Sequence, residues 1–252
     1  MKSELGDYKR AIRDYNAAIQ QGGDYPDVFS SRGAAKNELG DHKGAMEDCN
    51  IAIRMEPDYA AAYIHRGTAK EALGDPKDAI EDYDKAIRLK PKNDALVVAY
   101  SKRADAKSAL GENEAAIEDY DQGLRLVPID ALRAIGYVSR AAVKSNLGNN
   151  KGAIEDCDAA IRIDPDLVEA YETRAEAKSN LEDTSGAIED YNEVIHLKPS
   201  YAKAYYKRGR AKAKIGNVSE AKVDLQTALK LTEQENDKPL KTDIAEALRH
   251  LE

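Results

Sequence analysis

The chain has no tryptophan, one phenylalanine, two cysteines, four histidines and eight prolines in 252 residues. So little large aromatic volume excludes one thick core, and burial must be spread over alanine, isoleucine, leucine and 14 tyrosines. No run of 18 apolar residues occurs, so no transmembrane helix is expected, and Met1 leads straight into the body of the sequence without a signal-peptide pattern. An excess of positive charge is also lacking. With 38 Lys and Arg against 46 Asp and Glu, the net charge is −8, which argues against a general nucleic-acid binder.

What is present is a recurring tripeptide. It appears as Leu5-Gly6-Asp7, Leu39-Gly40-Asp41, Leu73-Gly74-Asp75, Leu110-Gly111-Glu112, Leu147-Gly148-Asn149, the degenerate Leu181-Glu182-Asp183, and Ile215-Gly216-Asn217. The steps are 34, 34, 37, 37, 34 and 34 residues. A fixed period of this size predicts a solenoid of stacked units working as an extended binding surface, without a catalytic cleft.

The unit is clearest from Ala60 to Asn93. Tyr63, Gly67 and Lys70 share one helical face; Gly74-Asp75 breaks the helix, and Pro76 suits the first turn of the next. Ala79, Ile80, Tyr83, Ala86 and Ile87 form a second stripe, and Pro91 ends it. Two antiparallel helices per unit follow. The second-helix aromatic is Tyr83, Tyr120 and Tyr191, replaced elsewhere by Cys49, Cys157 and Leu225. The two cysteines therefore stand at one position of two distant units, as buried, unpaired thiols. That favours a reducing, cytoplasmic location.

The pattern resembles the tetratricopeptide repeat family, in the bacterial-type form RGxAKxxLGDxxxAIEDYxxAI that runs from Arg66 to Ile87. The matching columns are the aromatic (Phe29, Tyr63, Tyr100, Tyr137, Tyr171, Tyr205), the small residue four later, the second-helix alanine (Ala45, Ala79, Ala116, Ala153, Ala187, Ala221) and the closing prolines. The resemblance implies an all-α, right-handed superhelical solenoid of antiparallel helix pairs, forming one domain. Its expected parts are a half repeat at 1–25, full repeats at 26–59, 60–96, 97–133, 134–167, 168–201 and 202–235, and a capping helix at 236–252.

Three departures stand out. The half repeat predicts a second helix from Asp7 to Gln21 with part of its apolar face (Ala11, Ile12, Tyr15, Ala18, Ile19) uncovered, a candidate self-association surface. Leu240, Ile244, Leu248 and Leu251 predict a cap at the other end. Insertions at Asn93-Asp94-Ala95-Leu96 and Ile129-Asp130-Ala131-Leu132 each offer an Asp N-cap and should lengthen the following helix by about one turn.

Each full repeat carries Arg then Lys four residues on (Arg32/Lys36, Arg66/Lys70, Arg103/Lys107, Arg140/Lys144, Arg174/Lys178, Arg208/Lys212) and an Asp in the second helix. The matched period favours pairing between neighbouring helices over an anion-binding ladder. The resemblance implies that ligands lie on the concave face, on first-helix positions 2, 5, 9, 12 and 13. Those positions bring Ile64, Thr68, Glu71, Val98, Ser101, Asp105 and Ser108; then Ile135, Val138, Ala142 and Asn146; then an acidic step, Glu169, Glu172 and Glu176; then a basic end, Lys203, Tyr206, Arg210 and Lys214. An apolar middle with charged flanks suits a peptide or helical segment of a partner protein.

A family subclass grips C-terminal carboxylates through a Lys, Asn and Arg set. Here only Lys203 and Lys207 match, while Val138, Ala142 and Thr173 stand at the other positions, so that clamp is absent. From Glu193 to Glu220 no acid intervenes, and Tyr201, Tyr205 and Tyr206 interleave with seven Lys and Arg, which raises RNA binding as an alternative. The histidines His42, His65, His196 and His250 share no register and no metal-ligand spacing, and no phosphate loop occurs, so neither catalysis nor a cofactor is expected.

Overall fold

The computed structural model describes residues 2–23, 25–127, 130–235 and 238–251. Among them it is all-α, with fourteen helices and no strand. Two compact units are present, Met1–Pro128 and Ile129–Glu252.

The first unit holds α1 (Lys2–Gln20) and three antiparallel pairs: α2 (Pro26–Glu38) with α3 (His42–Met55), α4 (Ala60–Ala72) with α5 (Pro76–Arg88), and α6 (Asn93–Ala109) with α7 (Asn113–Leu126). The second holds α8 (Asp130–Asn146) with α9 (Asn150–Ile163), α10 (Val168–Asn180) with α11 (Thr184–Leu197), α12 (Ala202–Lys214) with α13 (Val218–Glu235), and α14 (Lys238–Arg249).

The recurring tripeptide makes the turn within each pair. Gly74 sits at φ 93, a left-handed geometry that glycine adopts without Cβ strain. The next residue then caps the second helix: the Asp41, Asn149 and Asp183 side chains accept from the amides of Gly44, Gly152 and Gly186. In the degenerate copy Glu182 adopts the same conformation at φ 64, at a cost of about 1 kcal/mol.

The core is thin. Ala45, Ala79, Ala116, Ala153, Ala187 and Ala221 are all 0% exposed, so the paired backbones approach closely. The first-helix small residue serves the same contact: a Cβ on Gly67 would lie 2.6 Å from Cε1 of Tyr83. Cys49 and Cys157 fill the position of Tyr83 as buried free thiols. In the second unit Ile244 of α14 packs with Leu225 and Ala228, and Leu240, Leu248 and Leu251 gather around them, as expected of a cap.

Both 37-residue steps lengthen a first helix. α6 and α8 have 17 residues, whereas α2, α4, α10 and α12 have 13, a difference of one turn. The expected Asp cap of α6 is not used, because Lys92 holds the N-cap position and Asp94 falls inside the first turn, where it faces the positive helix end. The corresponding cap of α8 lies outside the described residues.

The N-terminal tripeptide also departs from expectation. α1 runs unbroken from Lys2 through Gly6 rather than starting at Asp7. Elsewhere the glycine turn is held by the two helices packing on one another. A stub of five residues cannot supply that packing, so the helix continues through Gly6 at a cost of about 1 kcal/mol.

Candidate peptide-binding site

The charged columns come first, because they decide which cations remain free. In the α4–α5 pair, Arg66 donates from Nε and Nη2 to the two carboxylate oxygens of Asp82 at 2.9 and 2.6 Å, and Lys70 Nζ lies 2.9 Å from Asp82 Oδ2. The same three-way contact joins Arg32, Lys36 and Asp48; Arg103, Lys107 and Asp119; Arg140, Lys144 and Asp156; Arg174, Lys178 and Asp190; and Arg208, Lys212 and Asp224. Every Asp of the set is buried.

Each guanidinium also lies about 5.4 Å over the aromatic ring three residues earlier, as Arg66 does over Tyr63. Several reach a third helix as well: Arg32 Nη1 donates to Asn16 of α1 and Arg66 Nη1 to Asn50 of α3, both at 2.7 Å. Hydrogen bonding to Asp48 and Asp82 is the main cause holding the Arg32 and Arg66 pKa values above the ordinary arginine range. Twelve of the basic side chains are thus occupied in holding helices together, as their period implied.

In each unit a groove runs along the first helices. That of the first unit has a volume of about 530 Å³ and includes Ile64, Thr68 and Val98, together with Tyr8, Tyr15, Ala34 and His65. That of the second has a volume of about 750 Å³ and includes Asn146, Glu176, Arg210 and Lys214, together with Ser145, Ser179, Asn180, Thr184 and Lys207.

Several expected ligand-facing residues are spent internally. Ile64 is 4% exposed and belongs to the core around Tyr83. Tyr206 packs against the cluster of Leu225 and Ile244. Glu71 accepts from the Tyr83 hydroxyl at 3.0 Å, and burial, the larger influence, raises its pKa. Asp105 accepts from the Tyr120 hydroxyl. Val138 packs beside Ala134 and Ala160, and Ser101 is half-buried.

The acidic step and the basic end meet one another. Lys203 Nζ lies 2.7 Å from Glu172 Oε1, Tyr201 donates to Glu172 Oε2 at 2.9 Å, and Lys207 pairs with Glu176. The hydrogen bond to Glu172 is the main cause raising the Lys203 pKa. What remains open is Thr68, partly, and Val98, Ile135, Ala142, Asn146, Glu169, Arg210 and Lys214. Arg210 stacks on Tyr206 with its guanidinium 5.6 Å from the ring centre, and among the described residues neither it nor Lys214 pairs with a carboxylate.

With this geometry in place, the comparisons decide the family. Models of the tetratricopeptide repeat match residues 60–93, 101–168 and 202–235, and a further TPR repeat model matches 181–216. The chain belongs to the tetratricopeptide repeat family. TPR solenoids of this build act as protein–protein interaction scaffolds. No curated protein matches the sequence.

Among solved structures, a chain of the APC/C hetero-tetramer Cut9–Hcn1 superposes with a TM-score of 0.76 at 16% identity, over 98% of this chain and 46% of that one. The present TPR chain thus spans about half the length of that relative. MamA matches with a TM-score of 0.60 at 25% identity over 68% of this chain and 96% of that one. YrrB, a TPR protein with an unusual peptide-binding site, matches with a TM-score of 0.58 at 19% identity, over 79% and 97%.

Sequence reasoning missed Ser145, Ser179, Asn180 and Thr184 in the groove of the second unit. The first three stand at positions 12 and 13 of their repeats, so the family register could have found them. Thr184 comes from α11 and had no such signal. No helix among the described residues is long and apolar enough to cross a membrane, and none of their His, Cys, Asp and Glu side chains gather in threes that could hold a metal ion.

Proposed function

We propose that this TPR chain is a non-catalytic scaffold that holds an acidic peptide segment of a partner protein along the first helices of its second unit. One observation carries this reading. Arg210 and Lys214 open onto a groove whose other charges, Glu176 and Lys207, already satisfy each other. A partner carboxylate would meet two cations with no competing counter-ion, while Asn146 and Asn180 offer amide hydrogen bonds to its backbone. Ile135, 54% exposed on α8, adds an apolar contact. The peptide-binding site of YrrB supports peptide binding as a use of this fold.

The same reading treats residues 1–252 as one repeat domain and the cytoplasm as its location. It leaves little for RNA, because Arg208 and Lys212 are occupied by Asp224 and Lys203 and Lys207 by glutamates, so no continuous cationic track for a phosphate backbone remains.

The test uses acidic peptides selected from a display library against the full chain. Arg210→Glu with Lys214→Glu should abolish their capture, with an unchanged melting temperature. Lys151→Glu with Arg162→Glu, the same charge change on exposed residues of the second helix α9, should leave capture intact. Capture that survives the first pair refutes the groove assignment. Lys203 is left untouched because its loss would free Glu172.

A further inference from the structure

Along the first helices of the second unit most charges are already balanced. Glu172 meets Lys203 and Glu176 meets Lys207, while Arg140, Arg174 and Arg208 are bound to Asp156, Asp190 and Asp224. Glu169 on α10 and Arg210 and Lys214 on α12 are exposed, and among the described residues they have no oppositely charged partner. These charges stand apart by sign. Glu169 lies in the first turn of α10, whereas Arg210 and Lys214 lie in the C-terminal half of α12. On α8 the exposed groups are aliphatic instead: Leu132 and Ile135, three residues apart on one helical side, are 43% and 54% exposed. Ala134 and Val138 of the same helix turn to the core. Leu132 belongs to the extra turn by which α8 exceeds α10 and α12. These three are successive first helices: α8 packs beside α10, and α10 reaches α12 through the two Glu–Lys pairs.

Across the unit the open groups therefore run apolar, negative, positive. We infer that the partner segment crosses α8, α10 and α12 in one direction and carries the complementary order: an aliphatic residue for Leu132 and Ile135, then Lys or Arg for Glu169, then Asp or Glu for Arg210 and Lys214. The pattern rests on the peptide groove proposed above and adds to it a direction and a spacing. Neighbouring helix axes lie roughly 10 Å apart, so an extended chain covers one step in about three residues. Glu169 is the second residue of α10 and Arg210 the ninth of α12. That offset is a rise of about 10 Å, which with the step between helices makes about 14 Å, or about four residues. The path crosses the Glu172–Lys203 and Glu176–Lys207 pairs, which add no net charge to it. A uniformly acidic segment, or one laid in the reverse direction, would set a carboxylate against Glu169.

The probe is a displayed library of random peptides selected against the full chain, with affinities then followed by fluorescence anisotropy. Selected sequences should share the order aliphatic, basic, acidic in a single chain direction, with gaps of about three and about four residues. For the most enriched peptide, Glu169→Lys in the protein should weaken binding at least about fivefold, since reversal turns attraction into repulsion. Exchanging the peptide's basic residue for Glu should restore binding to the Glu169→Lys chain and weaken it to the parent. Recovery by the exchanged peptide also shows that the variant is folded. Leu132→Ser with Ile135→Ser should weaken binding about tenfold by removing the apolar contact. Peptides that need Arg210 and Lys214 yet carry no basic residue at that spacing, or that bind the Glu169→Lys chain equally well, overturn this inference and leave the groove standing. Peptides indifferent to Arg210→Glu with Lys214→Glu overturn the groove and the pattern together.

Discussion

Removing one carboxylate from the middle of the array should cost more than removing all three members of its contact. Asp82 is 4% exposed, takes two charge-assisted hydrogen bonds from Arg66 and is ion-paired with Lys70 at 2.9 Å. Their side chains are only 20% and 17% exposed, so water screens them poorly. Asp82→Ala leaves two cations four residues apart on α4 without their buried counter-ion, with Asn50 the remaining polar partner of Arg66. The expected loss is about 3–5 kcal/mol. Replacing the set by Arg66→Met, Lys70→Met and Asp82→Leu removes the desolvation cost along with the attraction, and should stay within about 1 kcal/mol of the parent. As a surface reference, Asp58 sits 3.9 Å from Lys85 with side chains 81% and 38% exposed. Asp58→Ala should cost at most about 0.5 kcal/mol. Solenoids can unfold in steps, so urea titration should be joined by amide hydrogen exchange across α4 and α5. An Asp82→Ala chain as stable as the Asp58→Ala chain, or a triple variant as unstable as the single one, refutes the reasoning.

Two helical glycines should respond with opposite sign. Gly67→Ala places a Cβ 2.6 Å from the fully buried Tyr83 ring and should lower stability by about 1–2 kcal/mol, whereas Gly123→Ala meets nothing closer than 3.7 Å and should raise it by about 0.5–1 kcal/mol, both by chemical denaturation. Glu182→Gly relieves a left-handed backbone at φ 64 and should add about 0.5 kcal/mol, net of the freer unfolded chain. Burial, the largest cause, pushes the Cys49 and Cys157 thiols up to about 12, so both should react with a thiol reagent at pH 8 only as fast as the chain opens. His65 is half-buried against Ser30, and the burial lowers its pKa below 6.5. The unfolded chain therefore binds the proton first, and stability should fall as pH drops below about 6.5; His65→Gln should flatten that slope between pH 7 and 5.

The fold was legible because its signals repeat. Glycine turns, the alanine pairs and the Arg–Lys–Asp columns recur in register, and a repeated pattern averages out local exceptions such as Cys49 or Glu182. The one-turn extensions of α6 and α8 were legible for the same reason. The continuation of α1 through Gly6 was not, because a turn motif says nothing about whether a partner helix is there to enforce it. The candidate groove was only partly legible. Position numbers locate a face, but they do not reveal that Glu172 and Glu176 on α10 reach Lys203 and Lys207 on α12. Such pairing depends on the spacing between neighbouring helices, which the sequence of either helix alone does not contain.

Backbone chemical-shift mapping with a library-selected acidic peptide tests the central claim most directly. The shifts should concentrate on residues 142–146, 176–180 and 210–214, and vanish with Arg210→Glu and Lys214→Glu. Shifts confined to the second helices α9, α11 and α13, or unaltered by those two substitutions, would contradict it.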